Sequence, residues 1–176
     1  MTGLEYWSAS GLGSHIKASP VWGNGVVVAM GGGPVAGALA VKPGGKGTVD
    51  ETHRVWLRNR VRNRIGSGVI HEGHFYTVSE VGIAECLDLR TGQTVWEERL
   101  QSASGRSATW SSMVLVRDRI YVPVQSGDVF VLRAKPKFEV LGVNSIGGET
   151  INASLAISQG EIFIRTFKHL WCIGRR

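Results

Sequence analysis

The chain has 176 residues, 43% of them hydrophobic, which suits one ordinary domain with a core and argues against global disorder. No apolar run approaches 18 residues and the N-terminus lacks the basic and apolar regions of a secretory signal, so neither a membrane span nor an export signal is predicted. The net charge of +6 permits contact with polyanions without requiring it, and two cysteines are too few for a disulfide framework.

Short apolar runs recur along the chain and predict strands. In chain order they are 26–30, 75–78, 120–124 and 162–164. Each is rich in β-branched or aromatic residues and is bounded by Gly, Asp, Asn or Ser, which is typical of strands joined by tight turns. Gly supplies 24 of the 176 residues, roughly twice its average usage, and this excess fits many turns between short elements.

Other features recur with a period near 44 residues. In the clearest unit, Asp88 and Gly92 suit a tight turn between a strand ending near Leu87 and a strand that carries Trp96. Large residues at the equivalent of position 96 are spaced by 49, 40 and 45 residues: Trp7, Trp56, Trp96 and Leu141. Serines that start the innermost strands are spaced by 48, 45 and 42 residues: Ser19, Ser67, Ser112 and Ser154. Four strands in such a period are typical of a propeller blade.

The sequence therefore predicts an all-β fold, a β-propeller of four-stranded antiparallel blades with four blades per chain. We expect a single domain over 1–176. Within it, residues 1–18 would form an orphan outer strand of a closing blade, and 19–63, 64–108 and 109–150 three complete blades. Residues 151–176 would form the inner strands of a fourth blade.

The run from Cys86 to Trp96 resembles the tryptophan-docking repeat of the PQQ-like, quinoprotein-type β-propellers. Its pattern, Ala-x-Asp-x-x-Thr-Gly-x-x-x-Trp, is matched at Asp88, Thr91, Gly92 and Trp96, with Cys86 in the Ala position. The segments SPVWGNGVVVAMGG, ALAVKPGGKG and NASLAISQGEIFIRTFKHLWCIG are similar to the C-terminal half of bacterial, planctomycete-type PQQ-like repeat proteins. The resemblance implies structural docking between blades for these residues, and family members are often exported or periplasmic, although this chain leaves the compartment unknown.

The family contains enzymes as well as non-catalytic proteins, so the resemblance implies PQQ and calcium as cofactors only by analogy. Its quinoprotein alcohol and glucose dehydrogenases use a bound quinone, Ca²⁺ held by oxygens, an Asp base and, in many, an adjacent cysteine pair. Here Cys86 and Cys172 are 86 residues apart, and the four aspartates fall in predicted turns or loops. We predict no catalytic residue, metal site or cofactor. A non-catalytic scaffold that binds a protein or a small polar ligand is favoured, and a fragment of a PQQ- and calcium-dependent dehydrogenase is the alternative.

Two sets of side chains are candidate contacts. Ser19, Ser67, Ser112 and Ser154 should ring the central channel, where their hydroxyls could bind a small polar ligand, although strand-start chemistry explains them equally well. The alternating Arg58, Arg60, Arg62 and Arg64 would project to one side of an extended strand and could bind a polyanion. They could equally pair with acids between blades or subunits, and nucleic acid is disfavoured because no aromatic platform accompanies them.

The ends of the chain predict how the blades close. Residues 2–7 align with the 91–96 segment, and 171–176 align with 85–90, as in a circularly permuted set of four blades. Because an uncovered sheet edge invites aggregation, the Trp7 strand should complete a last blade. It could close the chain's own ring of four, or two chains could exchange it and form an eight-bladed homodimer, which we favour. A fragment of a longer protein is a third reading.

Overall fold

The computed structural model describes residues 3–33, 37–59, 61–103, 105 and 107–175. Seventeen strands lie in these ranges: β1 Trp7–Ser8, β2 Val21–Gly23, β3 Val26–Met30, β4 Gly37–Val41, β5 Gly47–Thr48, β6 Arg54–Asn59, β7 Val69–His71, β8 His74–Val78, β9 Ile83–Asp88, β10 Thr94–Arg99, β11 Val114–Val116, β12 Arg119–Pro123, β13 Asp128–Arg133, β14 Val140–Ser145, β15 Ala156–Ser158, β16 Glu161–Arg165 and β17 Leu170–Ile173. In this part of the chain no helix is long and apolar enough to cross a membrane.

Fifteen of these strands form four antiparallel sheets, which we call blades one to four, and β1 and β5 form a separate parallel pair. Blade one has the order β2-β3-β4-β6, blade two β7-β8-β9-β10 and blade three β11-β12-β13-β14. Blade four has three strands, β15-β16-β17. The predicted all-β propeller architecture is confirmed, and the blades stand in an open row, not a closed ring.

Tight turns join the first two strands of each blade. Positive φ angles occur at Asn24 and Gly25, at Glu72 and Gly73, and at Gln159 and Gly160, which is the backbone that two-residue hairpins with native twist require. Alternation along the strands then divides the apolar residues between the two faces of a blade. In blade two, Phe75 and Leu87 pack towards blade one, whereas Tyr76 and Cys86 pack towards blade three.

The N-terminal segment covers the face of blade one that points away from blade two. β1 pairs in parallel with β5, and Trp7 packs in a cluster with the buried Leu39, Val41 and Val49. The closed four-bladed ring expected as an alternative is therefore not formed, because β1 finds its apolar cover on blade one and does not pair with β17.

A backbone hydrogen bond repeats along the row of blades and shows how this segment relates to the repeat. In each case a carbonyl oxygen of the segment that leads into a blade accepts a hydrogen bond from a backbone N–H just after that blade's second strand. The bonds are Gly32 N to His15 O at 2.6 Å, Glu80 N to Asn63 O at 3.0 Å, Gln125 N to Ala108 O at 2.8 Å and Phe167 N to Thr150 O at 3.2 Å. The N-terminal segment thus contacts blade one in the same way as the segment after the last strand of each blade contacts the following blade.

Candidate functional site

The turn between β9 and β10 is built around the Asp88 carboxylate. Asp88 Oδ1 accepts hydrogen bonds from the backbone N–H of Arg90 at 3.0 Å and of Thr91 at 2.7 Å, and from Thr91 Oγ1 at 2.9 Å. The Thr91 hydroxyl and backbone bonds hold the pKa of Asp88 below its ordinary value. In a tight turn, such side-chain bonds satisfy backbone groups that lack a partner on a neighbouring strand.

Trp56 on β6 lies between blades one and two and contacts this turn. Its indole is buried and its Nε1 donates to the carbonyl of Leu89 at 2.9 Å. Gly92, at φ +70°, faces the ring so closely that an added Cβ would stand 2.7 Å from it. Only glycine suits both this left-handed backbone and the approach of the indole.

Trp96 on β10 takes the same place between blades two and three. It is half-buried, and its Nε1 donates to the carbonyl of Lys135 at 3.3 Å. Its ring lies 6.1 Å from that of Tyr76 and 5.1 Å, edge to face, from that of Phe138. Trp7 on β1 is half-buried against blade one. Each of the three predicted tryptophans therefore packs against the blade that follows its own strand along the chain.

The position equivalent to these tryptophans in blade three is Gly142, and the expected equivalence of Leu141 is wrong. Trp56 is paired with Ala40 and Trp96 with Cys86, each just after a bulge. In β14 the residue paired with Val131 beside the corresponding bulge is Gly142. A bulge inserts one residue into one strand, so spacing along the sequence did not reveal the pairing.

The four serines form a ladder that crosses from blade to blade. Each lies two residues before the first strand of its blade. The backbone N–H of Ser19 donates to Ser67 Oγ at 2.8 Å, that of Ser67 to Ser112 Oγ at 3.0 Å and that of Ser112 to Ser154 Oγ at 2.9 Å. Each of these three hydroxyl oxygens accepts a bond from the preceding blade, so the ladder connects the blades at the start of their innermost strands.

Two members of the arginine row meet one carboxylate. Arg58 Nη1 lies 2.8 Å from Glu85 Oε1, and Arg64 forms an ion pair with the other oxygen of Glu85. Arg64 and Glu85 are both buried, and burial lowers the pKa of the Arg64 guanidinium. A buried charge is costly unless it is paired, so Glu85 neutralises a cation that would otherwise destabilise this blade interface.

The remaining described arginine of the row pairs nearer the surface. Arg62 Nη2 lies 2.6 Å from Glu97 Oε1, and this hydrogen bond lowers the pKa of Glu97 and raises that of Arg62. Arg60 lies outside the described residues. Because β6 ends at Asn59, the row is not one extended strand, and its described members bind acids of blade two.

Glu85 and Glu97 were not singled out from the sequence. Glu85 carried the clearer signal, because it is a charged residue in the middle of an otherwise apolar third strand. No comparable signal marks Glu97, which lies on the largely exposed outer strand β10.

The aspartates do not fit the calcium-bound quinone that the family resemblance implies. Asp50 binds Ser10 and Arg54, Asp118 binds Arg133, and Asp128 binds Ser102 and Ser126. Asp88 is held in its own turn. A hard cation needs several converging oxygens, and among the described residues no three His, Cys, Asp or Glu side chains are grouped to hold a metal ion.

The two cysteines and the neighbouring His71 and His74 are the remaining side chains whose chemistry bears on the site. Cys86 is buried, and burial raises its thiol pKa to about 12, so it is not a thiolate near neutral pH. Cys172 is exposed on β17. His71 and His74 flank a hairpin turn, where His74 Nδ1 lies 2.9 Å from the carbonyl oxygen of Glu72.

No family model and no curated protein matches the chain, but solved structures do. BamB from Moraxella catarrhalis matches with a TM-score of 0.71 at 12% identity, over 91% of this chain and 48% of that one. The computationally designed Ika4 protein matches at 0.67 and 13%, over 98% and 100%. The quinohemoprotein alcohol dehydrogenase ADHIIG from Pseudomonas putida HK5 matches at 0.62 and 14%, over 90% and 29%.

The chain thus has the β-propeller fold of these structures. This chain spans about half the length of BamB and less than a third of the dehydrogenase. The matching structures include both dehydrogenases and BamB, so the fold accommodates more than one role. A planctomycete origin stays a prediction.

Proposed function

We propose that this chain is a non-catalytic β-propeller module that binds protein through the two ends of its row of blades, and that its partner is a second copy of itself. The observation that carries the proposal is the serine ladder, which ends in complementary groups. Among the described residues, Ser19 Oγ accepts no hydrogen bond and the backbone N–H of Ser154 donates none. A bond from Ser154 of one copy to Ser19 of the other would continue the ladder at both ends.

The strands at the two ends support the same arrangement. β17 has a neighbour on one side only, and its side chains are all exposed, including Leu170 and Trp171. β1 also pairs on one side only and already lies on blade one, as β6 lies on blade two. Pairing of β1 with β17 of the partner would give blade four its fourth strand and remove both open edges. Two copies would form an eight-bladed ring with two-fold symmetry.

A non-catalytic role is supported by the engagement of the acidic side chains. The four aspartates, together with Glu85 and Glu97, are held in turns or between blades by hydrogen bonds and ion pairs. These groups stabilise the blades where a dehydrogenase would need free carboxylates. The same bonds engage the described arginines of the Arg58–Arg64 row, so no observation favours a polyanion-binding role.

The test is the solution mass of the 176-residue chain by light scattering over a range of concentrations. We expect a mass twice 19.0 kDa. Ser19→Ala should shift dissociation to higher concentration, by roughly five- to a hundredfold for one lost hydrogen bond at each of two symmetric contacts. Ser158→Ala, an exposed serine on β15, is the matched control and should leave the mass curve unchanged. A stable monomer, or equal effects of the two variants, would overturn the proposal.

A further inference from the structure

A cleft of about 740 Å³ opens between blades three and four. Tyr121, Val131, Leu141 and Gly142 line it from blade three. Ile162, Ile164 and Ile173 line it from blade four. Its walls are therefore mainly apolar, and it lies at the outer part of the row, away from the serine ladder.

The other two gaps between blades each hold an indole at this place. Trp56 packs in a cluster with Phe75 and Leu87, and Trp96 in a cluster with Ile120 and Leu132. In both cases the two apolar residues are paired across the second and third strands of the following blade. The corresponding pair in blade four is Ile162 and Ile173, which line the cleft. The receiving surface for an aromatic ring is therefore present.

The ring that would fill this surface is missing from blade three. Gly142 occupies the docking position, and a Cβ built on it would meet no atom within 4 Å. Apolar cavities of protein interiors can remain dry and take up aromatic molecules. The chain thus presents an apolar surface of the kind against which an indole packs in the other two gaps of the same molecule.

An arginine at the rim of the cleft indicates which charged group a ligand of this site would carry. Arg119 and Arg133 are paired across β12 and β13, and both line the cleft. Arg133 is bound to Asp118, whereas Arg119 forms no ion pair among the described residues. A guanidinium beside an apolar pocket favours a carboxylate that its ligand carries.

We propose that this cleft, which we call the Gly142 cleft, binds a small planar aromatic acid, with its ring between blades three and four and its carboxylate at Arg119. The site is independent of the proposed dimer. A partner strand would add to the outer edge of β17, whereas the docking residue for this gap belongs to β14 of the same chain.

Binding of indole-3-propionate, with neutral indole as a second probe, tests the proposal by calorimetry and ligand-detected NMR. Wild type should bind the acid, and Gly142→Trp should abolish binding because the new indole would occupy the surface of Ile162 and Ile173 that the ligand ring needs. Val143→Trp is the matched control, since it adds the same side chain to β14 at an exposed position outside the cleft lining. Arg119→Gln should weaken the acid about tenfold and leave neutral indole unchanged.

Three binding results would each overturn the proposal: no binding of either probe to wild type at millimolar concentration, full binding to Gly142→Trp, or equal losses in Gly142→Trp and Val143→Trp. If Gly142→Trp does not fold, Gly142→Leu replaces it, with a large loss of affinity expected. The masses of the variants separate this inference from the proposed function. If Gly142→Trp prevents dimerisation, the cleft is part of the contact between copies and the ligand site is refuted.

Discussion

At the residue scale, the stability of the row depends on what lies between one blade and the next. Trp56 combines burial, an indole N–H bonded to the Leu89 carbonyl, and a close approach to Gly92. Removing the ring would lose its transfer free energy and leave a cavity that the stacked sheets can close only in part. Trp22 is the same residue type, but its side chain is 60% exposed on β2.

We therefore expect Trp56→Ala to lower the free energy of unfolding by about 3–5 kcal/mol. Trp22→Ala should change it by no more than about 0.5 kcal/mol, as most exposed substitutions do. Urea unfolding followed by circular dichroism measures both. Similar losses in the two variants would show that the contacts of Trp56 do not stabilise the interface.

The residues of the site were predictable from sequence only where the signal is local. Asp88, Thr91, Gly92 and Trp96 lie within nine residues, and their spacing predicted a turn followed by a large apolar side chain. Gly142 was missed because the bulge beside it shifts pairing by one residue. The partners of Arg58 and Arg62 were also missed, because Glu85 and Glu97 lie 27 and 35 residues away along the chain.

At the scale of the element, each blade depends on turns that hold its strands in register. In the β9–β10 turn, one carboxylate oxygen of Asp88 receives two backbone N–H groups and the Thr91 hydroxyl. These bonds favour the ionised carboxylate, which is why its pKa is lowered on folding. Folding and proton binding at Asp88 are therefore linked.

The sign of the linkage gives a pH prediction. The contribution of Asp88 is fully present above its ordinary pKa of 3.8 and is lost as pH falls through the lowered folded-state value. Asp88→Asn should destabilise the protein at pH 7, and the difference from wild type should shrink in acid. Thr91→Val keeps the carboxylate and removes one donor, so it should show a smaller effect of the same sign. Urea unfolding at a series of pH values measures this, and a difference that is constant with pH would contradict it.

The strands themselves were largely predictable, because the alternation of apolar residues and the Gly-rich hairpins repeat in each blade. The position of β1 was not. Its sequence matches an outer strand, and that pattern alone does not select among the edges that such a strand could join. The structure places it against β5, with Trp7 on Leu39 and Val41.

At the scale of the whole molecule, the free face of blade four and the open edges of β17 and β1 are the features that a second copy would cover. Cys172 occupies in blade four the place of Cys86 in blade two, since Cys172 is paired with Phe163 and Cys86 with Tyr76. Cys86 packs towards blade three, so Cys172 lies on the free face of blade four. The two thiols therefore report on different interfaces.

In dilute native protein, we expect a maleimide at pH 7.5 to modify Cys172 and not Cys86, whose pKa of about 12 and burial leave it neutral and inaccessible. Raising the concentration into the dimer range should slow the modification of Cys172, and denaturant should expose both thiols. Mass spectrometry with Cys172→Ser as control assigns the label. Equal rates for Cys86 and Cys172 in native protein would contradict the packing, and a concentration-independent rate would count against the dimer.

Gly142 has a consequence for the motions of the chain as well as for binding. In a row where each blade contacts only its neighbours, stability is close to a sum of the blades and the contacts between them. The last contact lacks the indole that strengthens the first two, and within the described part of the chain blade four has three strands where the others have four. In a single copy, blade four should therefore detach transiently while the rest remains folded, and its amide hydrogens should exchange with solvent ahead of those of blades one to three.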